Sequence, residues 1–199
     1  MNREAWLMDA TRRLRPLFAE HGYTVPDKIR VSCGWPSIKA MGRKSRRIGE
    51  CWPTQCSKDG TWEIFISPIL AKPLDVLDVL VHEIVHAVVG IECGHRGPFR
   101  VCATKLGLTG KMTATEAGPE LKARLNGVSA GMASYPHAPL DGKAREKKQS
   151  TRMLKLTCPS AECGYVVRTT RKWLDVGVPT CCCGETMEAD SSDSSDADD

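Results

Sequence analysis

No run of about eighteen uninterrupted apolar residues occurs in this 199-residue chain, which removes the simplest form of membrane-spanning helix. The N-terminal stretch MNREAWLMDATRRLRPL carries charges throughout, where a secretory signal needs an apolar core. A cytoplasmic or nucleoid-associated protein is the expectation. No plain CxxC spacing is present either, although the chain has ten cysteines. Without a secretion signal, that many cysteines argue for thiols and metal ligands rather than disulfides. With 41% apolar residues the chain can bury one good core and a small satellite module.

Histidine is scarce, yet three of the five fall within fourteen residues, in LDVLDVLVHEIVHAVVGIECGHRGPF. His82 and His86 stand four apart, one helical turn on one face, and Glu83 flanks them. This HExxH spacing suits two imidazole ligands of one zinc ion and a carboxylate able to take a proton from water held there. Leu74, Leu77, Val81, Ile84, Val85 and Val88 recur at helical spacing, so the motif sits in a mostly apolar helix that Gly90 is placed to end. A catalytic zinc needs a third protein ligand. His95 is the natural candidate and Glu92 the runner-up. The spacing is not that of metzincins, whose third histidine comes earlier.

The run HEIVH, then GHRGPF with an aromatic four residues after His95, then the amphipathic VCATKLGL, resembles the SprT-like (Spartan-type) metalloproteases. The resemblance implies three histidine ligands, His82, His86 and His95, with Glu83 as the catalytic residue. It also implies cleavage of proteins on or crosslinked to DNA.

Residues 2–21 read as an amphipathic helix with Trp6, Leu7, Ala10, Leu14, Leu17 and Phe18 on one stripe. Strands are expected at 29–33, 48–52 and 61–67, the last after a hairpin turn at Lys58-Asp-Gly60. The basic run Arg43–Arg47 is a candidate phosphate-contacting loop. Short helices are expected at 97–106 and 119–126. Cys33, Cys51, Cys56, Cys93 and Cys102 read as buried thiols. From 128 to 152 the periodicity vanishes, giving an exposed linker in which His137 is an ordinary surface histidine.

Residues 153–189 hold two cysteine clusters, each ending in Cys-Gly. Cys158 and Cys163 would supply one pair of ligands, Cys181 and Cys183 the other, with Cys182 competing with Cys181. Four thiolates make a closed structural zinc site, and the module reads as a zinc ribbon too small to fold without metal. SprT-like proteins often carry such a ribbon, so the resemblance extends to this architecture. Arg168, Arg171, Lys172 and Trp173 add charge and a stacking surface to it, which suits nucleic acid. The net charge of +4 includes five aspartates in the last ten residues, leaving +9 elsewhere, and so basic a body suggests an anionic partner.

The expectation is an α+β protein. A zincin-like metalloprotease core over 1–127 has an N-terminal helix, a small antiparallel sheet and the HExxH helix; a linker over 128–152, the ribbon over 153–189 and a disordered acidic tail over 190–199 follow. It would hold one catalytic and one structural Zn2+, with protein substrate and DNA as partners and no membrane. The rival is a nucleic-acid-binding or transcription-associated adaptor with an inactive protease-like core.

Overall fold

The computed structural model describes residues 1–42, 46–141 and 153–189. The chain divides into two compact units, 1–144 and 145–199, both mixtures of helices and small sheets. Arg43, Lys44 and Ser45 of the basic run, residues 142–152 of the expected linker, and the acidic tail 190–199 lie outside the described residues.

Helix α1 spans Arg3–Glu20 and starts on Asn2, whose side chain accepts from the Ala5 N–H at 2.8 Å, satisfying one of the donors a helix start leaves open. All six residues of its apolar stripe are buried. Three strands follow: β1 (Ile29–Cys33), β2 (Gly49–Trp52) and β3 (Trp62–Ile66), in the order β1-β3-β2. The β2–β3 pair is antiparallel, but β1 runs parallel to β3. The sheet is therefore mixed, not antiparallel as expected. Strand β3 folds back from β2 and inserts in the middle, so β1 and β3 point the same way, separated by the crossover that a parallel pair needs.

Helix α2 spans Pro73–Val89, with proline in its first turn and Gly90 as its C-cap at φ 87°, a left-handed conformation that glycine adopts without a Cβ penalty. Val76, Leu77, Leu80, Val81, Ile84 and Val85 are fully buried, against the sheet, α1 and the helices α3 (Pro98–Lys105) and α4 (Pro119–Ala130). Each such side chain contributes about 1.5–3 kcal/mol relative to exposure. Between α3 and α4 lies an antiparallel hairpin of β4 (Leu108–Lys111) and β5 (Ala114–Ala117), which sequence patterning missed. Its residues are mostly exposed, so it carries no apolar alternation.

The expected linker is not free at its start. Helix α4 continues to Ala130, and the segment after it is tied to the core. Trp6 Nε1 donates to Ala133 O at 2.8 Å, and Tyr135 sets its ring edge against Trp6. His137 is 9% exposed, with Nε2 2.6 Å from Pro68 O, and Leu140 N donates to the same carbonyl. His137 is thus a buried histidine, not a surface one. An irregular strap leaves no period in the sequence, because its partners lie far along the chain.

The second unit comprises β6 (Leu154–Thr157), β7 (Val166–Thr169), α5 (Arg171–Val176) and β8 (Glu188–Ala189), with strand order β7-β6-β8. Among the described residues, its buried cluster comprises Leu156, Cys158, Cys181 and Met187. Among the described residues, no helix is long and apolar enough to cross a membrane.

Candidate metal centres

Helix α2 presents His82 and His86 on one face, and the turn after Gly90 brings His95 to them. That turn is closed by Gly94 N donating to Ile91 O and Arg96 N donating to Cys93 O. His95 Nε2 lies 3.2 Å from Nε2 of both His82 and His86. Tetrahedral ligands with metal–nitrogen bonds of about 2.0–2.1 Å stand roughly 3.3–3.4 Å apart. The three nitrogens therefore fit one small metal ion. Phe99, fully buried on α3, packs against all three rings at centroid distances of 5.0, 4.4 and 4.9 Å. It is the aromatic four residues after His95.

Burial pushes His82 down to about 4 and His86 down to about 3, and lowers His95 as well, with neighbouring positive charge adding to each. The rings are thus neutral near pH 7, the form that binds metal. His82 Nδ1 lies 2.8 Å from Thr115 Oγ1 on β5; as the donor to that oxygen it leaves the Nε2 lone pair for the metal. His86 Nδ1 is buried with no partner among the described residues. Glu92 is exposed and outside the cluster. Its carboxylate folds back over Gly90, where an added Cβ would meet Oε2 at 2.4 Å.

Glu83 points to the sheet side of α2 and is only 7% exposed. Burial pushes its carboxyl up to about 8, against the opposing pull of Arg47. It fits there because residue 49 has no side chain: a Cβ on Gly49 would come within 2.4 Å of Glu83 Oε1. Gly49, Thr115 and the Arg47–Glu50 pair escaped the sequence reading as site residues. Each lies at least 29 residues from the HExxH motif; Arg47 stood in the basic run, and Gly49 and Glu50 only in the expected 48–52 strand.

In the second unit, Cys158, Cys163, Cys181 and Cys183 converge, with Sγ–Sγ distances of 3.5 Å for 158–183 and for 163–181. Four thiolates on one ion at about 2.3 Å would stand roughly 3.8 Å apart. The backbone N–H groups of Ser160, Tyr165 and Cys183 face the sulfurs of Cys158, Cys163 and Cys181, two residues earlier in each case. Each of these bonds favours the thiolate, and the Cys183 amide above all holds Cys181 down to about 6, while burial pushes Cys158 up to about 12 and Cys163 is raised by its sulfur neighbours. Gly164 at φ 62° and Gly184 at φ 96° turn the chain after each cluster as the Cys-Gly pairs suggest. Cys182 is exposed, 3.9 Å from Cys181, and outside the group. Of the five scattered cysteines, Cys102 is buried and Cys33, Cys51 and Cys93 are half-buried, while Cys56 is exposed, contrary to expectation.

No family model, curated protein or solved structure matches this chain.

The residues expected to meet nucleic acid are spread over two elements. Arg168 lies exposed on β7, opposite Lys155 of β6, while Arg171, Lys172 and Trp173 open α5. Lys172 Nζ sits 5.3 Å from the centre of the Trp173 ring, which is 59% exposed.

Proposed function

We propose that the first unit is a zinc-dependent metalloprotease with a zincin-like core of SprT-like type, and the second a zinc ribbon that brings it to DNA-associated or DNA-crosslinked proteins. The observation that carries the reading is the convergence of three imidazoles, with the buried Glu83 next to His82 in the chain. A structural metal site needs no such carboxylate, whereas hydrolysis needs a base.

His82, His86 and His95 would hold the catalytic zinc, leaving a fourth position open, and the four cysteines would hold a closed structural one. When bound at the open site, zinc supplies a Lewis acid and makes a water acidic enough to lose its proton near pH 7. In its ionised form Glu83 would take that proton and later give it to the leaving amine. Thr115 holds the His82 ring in place, and Phe99 excludes water beneath the three rings. Strand β2 is an edge of the first unit's sheet and adjoins Glu83 through Gly49. An extended peptide pairing with such an edge is held through its backbone, whatever its sequence.

The DNA part of the reading rests on the sequence resemblance and on the exposed Arg168, Arg171, Lys172 and Trp173. The same exposed residues favour a second reading, a nucleic-acid-binding or transcription-associated zinc-ribbon adaptor that carries an inactive protease-like core. Incubating wild type and Glu83→Gln with a DNA-bound protein, with and without DNA, separates them. The protease cleaves, loses nearly all cleavage in Glu83→Gln while keeping both metals, and is stimulated by DNA. An adaptor binds DNA in both forms and cleaves in neither.

A further inference from the structure

We propose that Arg47 is a second catalytic residue of the first unit, a fixed guanidinium that receives the oxyanion formed on the scissile carbonyl. The proposal rests on the peptidase reading and supplies the electrophilic partner for Glu83.

Arg47 lies two residues before β2, whose first residue, Gly49, is the point at which the sheet touches Glu83. The chain here is anchored by Arg47 N donating to Lys39 O at 3.2 Å. The side chain is anchored too. Its Nη1 donates to Glu50 Oε1 at 2.5 Å, and Glu50 is itself a buried carboxylate that accepts from Ser37 N, Ser37 Oγ and Trp52 Nε1 at 2.7–2.9 Å. A surface arginine reaching for phosphate needs no such clamp. Holding a guanidinium against a carboxylate with four donors costs mobility, which suits a group whose aim matters.

The bond to Glu50 occupies one corner of the fork. Among the described residues nothing else binds it, and the side chain is 43% exposed, so Nη2 and Nε are available to a ligand. The positive charge of Arg47 is felt at Glu83, His86 and His95.

The chemistry needs a cation there. As Glu83 removes a proton from water, the water oxygen bonds to the carbonyl carbon and the C=O π pair moves onto oxygen. That oxyanion is where Arg47 donates. On collapse the pair returns, the C–N bond breaks, and the proton on Glu83 passes to the leaving nitrogen. Losing one preorganised donor of this kind costs about 10²–10³-fold in kcat.

The test uses the full chain in two arms. With zinc bound, kcat and KM are measured on a DNA-bound protein substrate for wild type, Arg47→Gln and Arg47→Lys. With cobalt bound in its place, binding of inorganic phosphate, a tetrahedral oxyanion, is followed by visible absorption. Arg47→Gln should lower kcat about 10²–10³-fold, with a smaller change in KM, and weaken phosphate about 10–100-fold, as loss of a charged hydrogen bond does. Arg47→Lys keeps the charge without the fork and should fall between. Metal content and unfolding midpoint should match wild type; should Arg47→Gln misfold, Arg47→Lys carries the same comparison. Unchanged kcat and phosphate affinity in the variants overturn the proposal while leaving the peptidase standing, and a wild type that binds no phosphate overturns it as well. A wild type that cleaves nothing but loses phosphate affinity in Arg47→Gln overturns the peptidase reading and keeps the anion contact.

Discussion

Replacing Gly49 by alanine probes how the sheet confines the base. An ideal Cβ at this position would stand 2.4 Å from Glu83 Oε1, 2.6 Å from Val79 Cγ1 and 2.8 Å from Glu83 Cγ. Ordinary contacts lie near 3.5–4.0 Å, so all three atoms must retreat by about 1 Å. The carboxylate end could swing aside alone, but Cγ is close to the helix backbone, and Val79 is fixed one turn earlier on α2. Either α2 moves off β2 or Glu83 leaves its rotamer. Overpacking of this kind costs about 1–3 kcal/mol, and for a chain of this size that lowers the melting temperature by about 2–12 °C. Misplacing a reacting group by about 1 Å costs on the order of 10²-fold in rate. Gly49→Ala should therefore melt earlier and cleave far more slowly, while keeping the metal at His82, His86 and His95. Thermal unfolding, metal analysis and cleavage of a DNA-bound protein measure the three quantities. A variant with wild-type melting temperature and rate would show that β2 does not confine Glu83.

Metal analysis should find two equivalents in wild type, one lost in Cys181→Ser and none lost in Cys182→Ser, because only Cys181 faces the other three sulfurs; the reverse pattern would exchange their roles. Thr115→Val removes the acceptor for His82 Nδ1 at nearly constant volume and should weaken metal at the histidine site about 10–100-fold in chelator competition, with Thr115→Ser restoring it. Equal affinity in all three forms would reduce Thr115 to a surface contact. Asp78, one turn before His82, has Oδ1 buried without a partner among the described residues. Burial, with Glu116 and Asp75, pushes its carboxyl from 3.8 up to about 6, against the Ala117 N–H and Lys122. The folded chain thus holds this proton more tightly than the unfolded one, so the contribution is intact below about pH 3.8 and is lost as pH rises through about 6. In urea unfolding of metal-free protein, Asp78→Asn should be the more stable form at pH 8, with the gap closing by pH 4; a gap independent of pH would refute the assignment.

What the sequence determined by itself is local. Apolar spacing along one face is enough to make α1 and α2 helical and to choose their buried stripes, and a four-residue separation on a helix puts His82 and His86 side by side in any fold. Backbone geometry likewise requires the turns at Cys163-Gly164 and Cys183-Gly184, so the two cysteine clusters were legible. The rest needed the chain folded. Cys181 and Cys182 are neighbours of identical chemistry, and only the turn between them decides which sulfur faces inward. The direction of β1 depends on which strand takes the middle of the sheet. The strap that buries Tyr135 and His137 is irregular, and its partners Trp6 and Pro68 lie 129 and 69 residues away along the chain. Thr115 reaches His82 by a hydrogen bond, Gly49 meets Glu83 by close approach and Glu50 clamps Arg47, all from other elements and by contacts that leave no period in the sequence. Spacing pointed to the candidate ligand clusters; which sulfur and which third residue join them, and the surroundings that exclude water, aim the rings and set the charge, are decided only by tertiary packing.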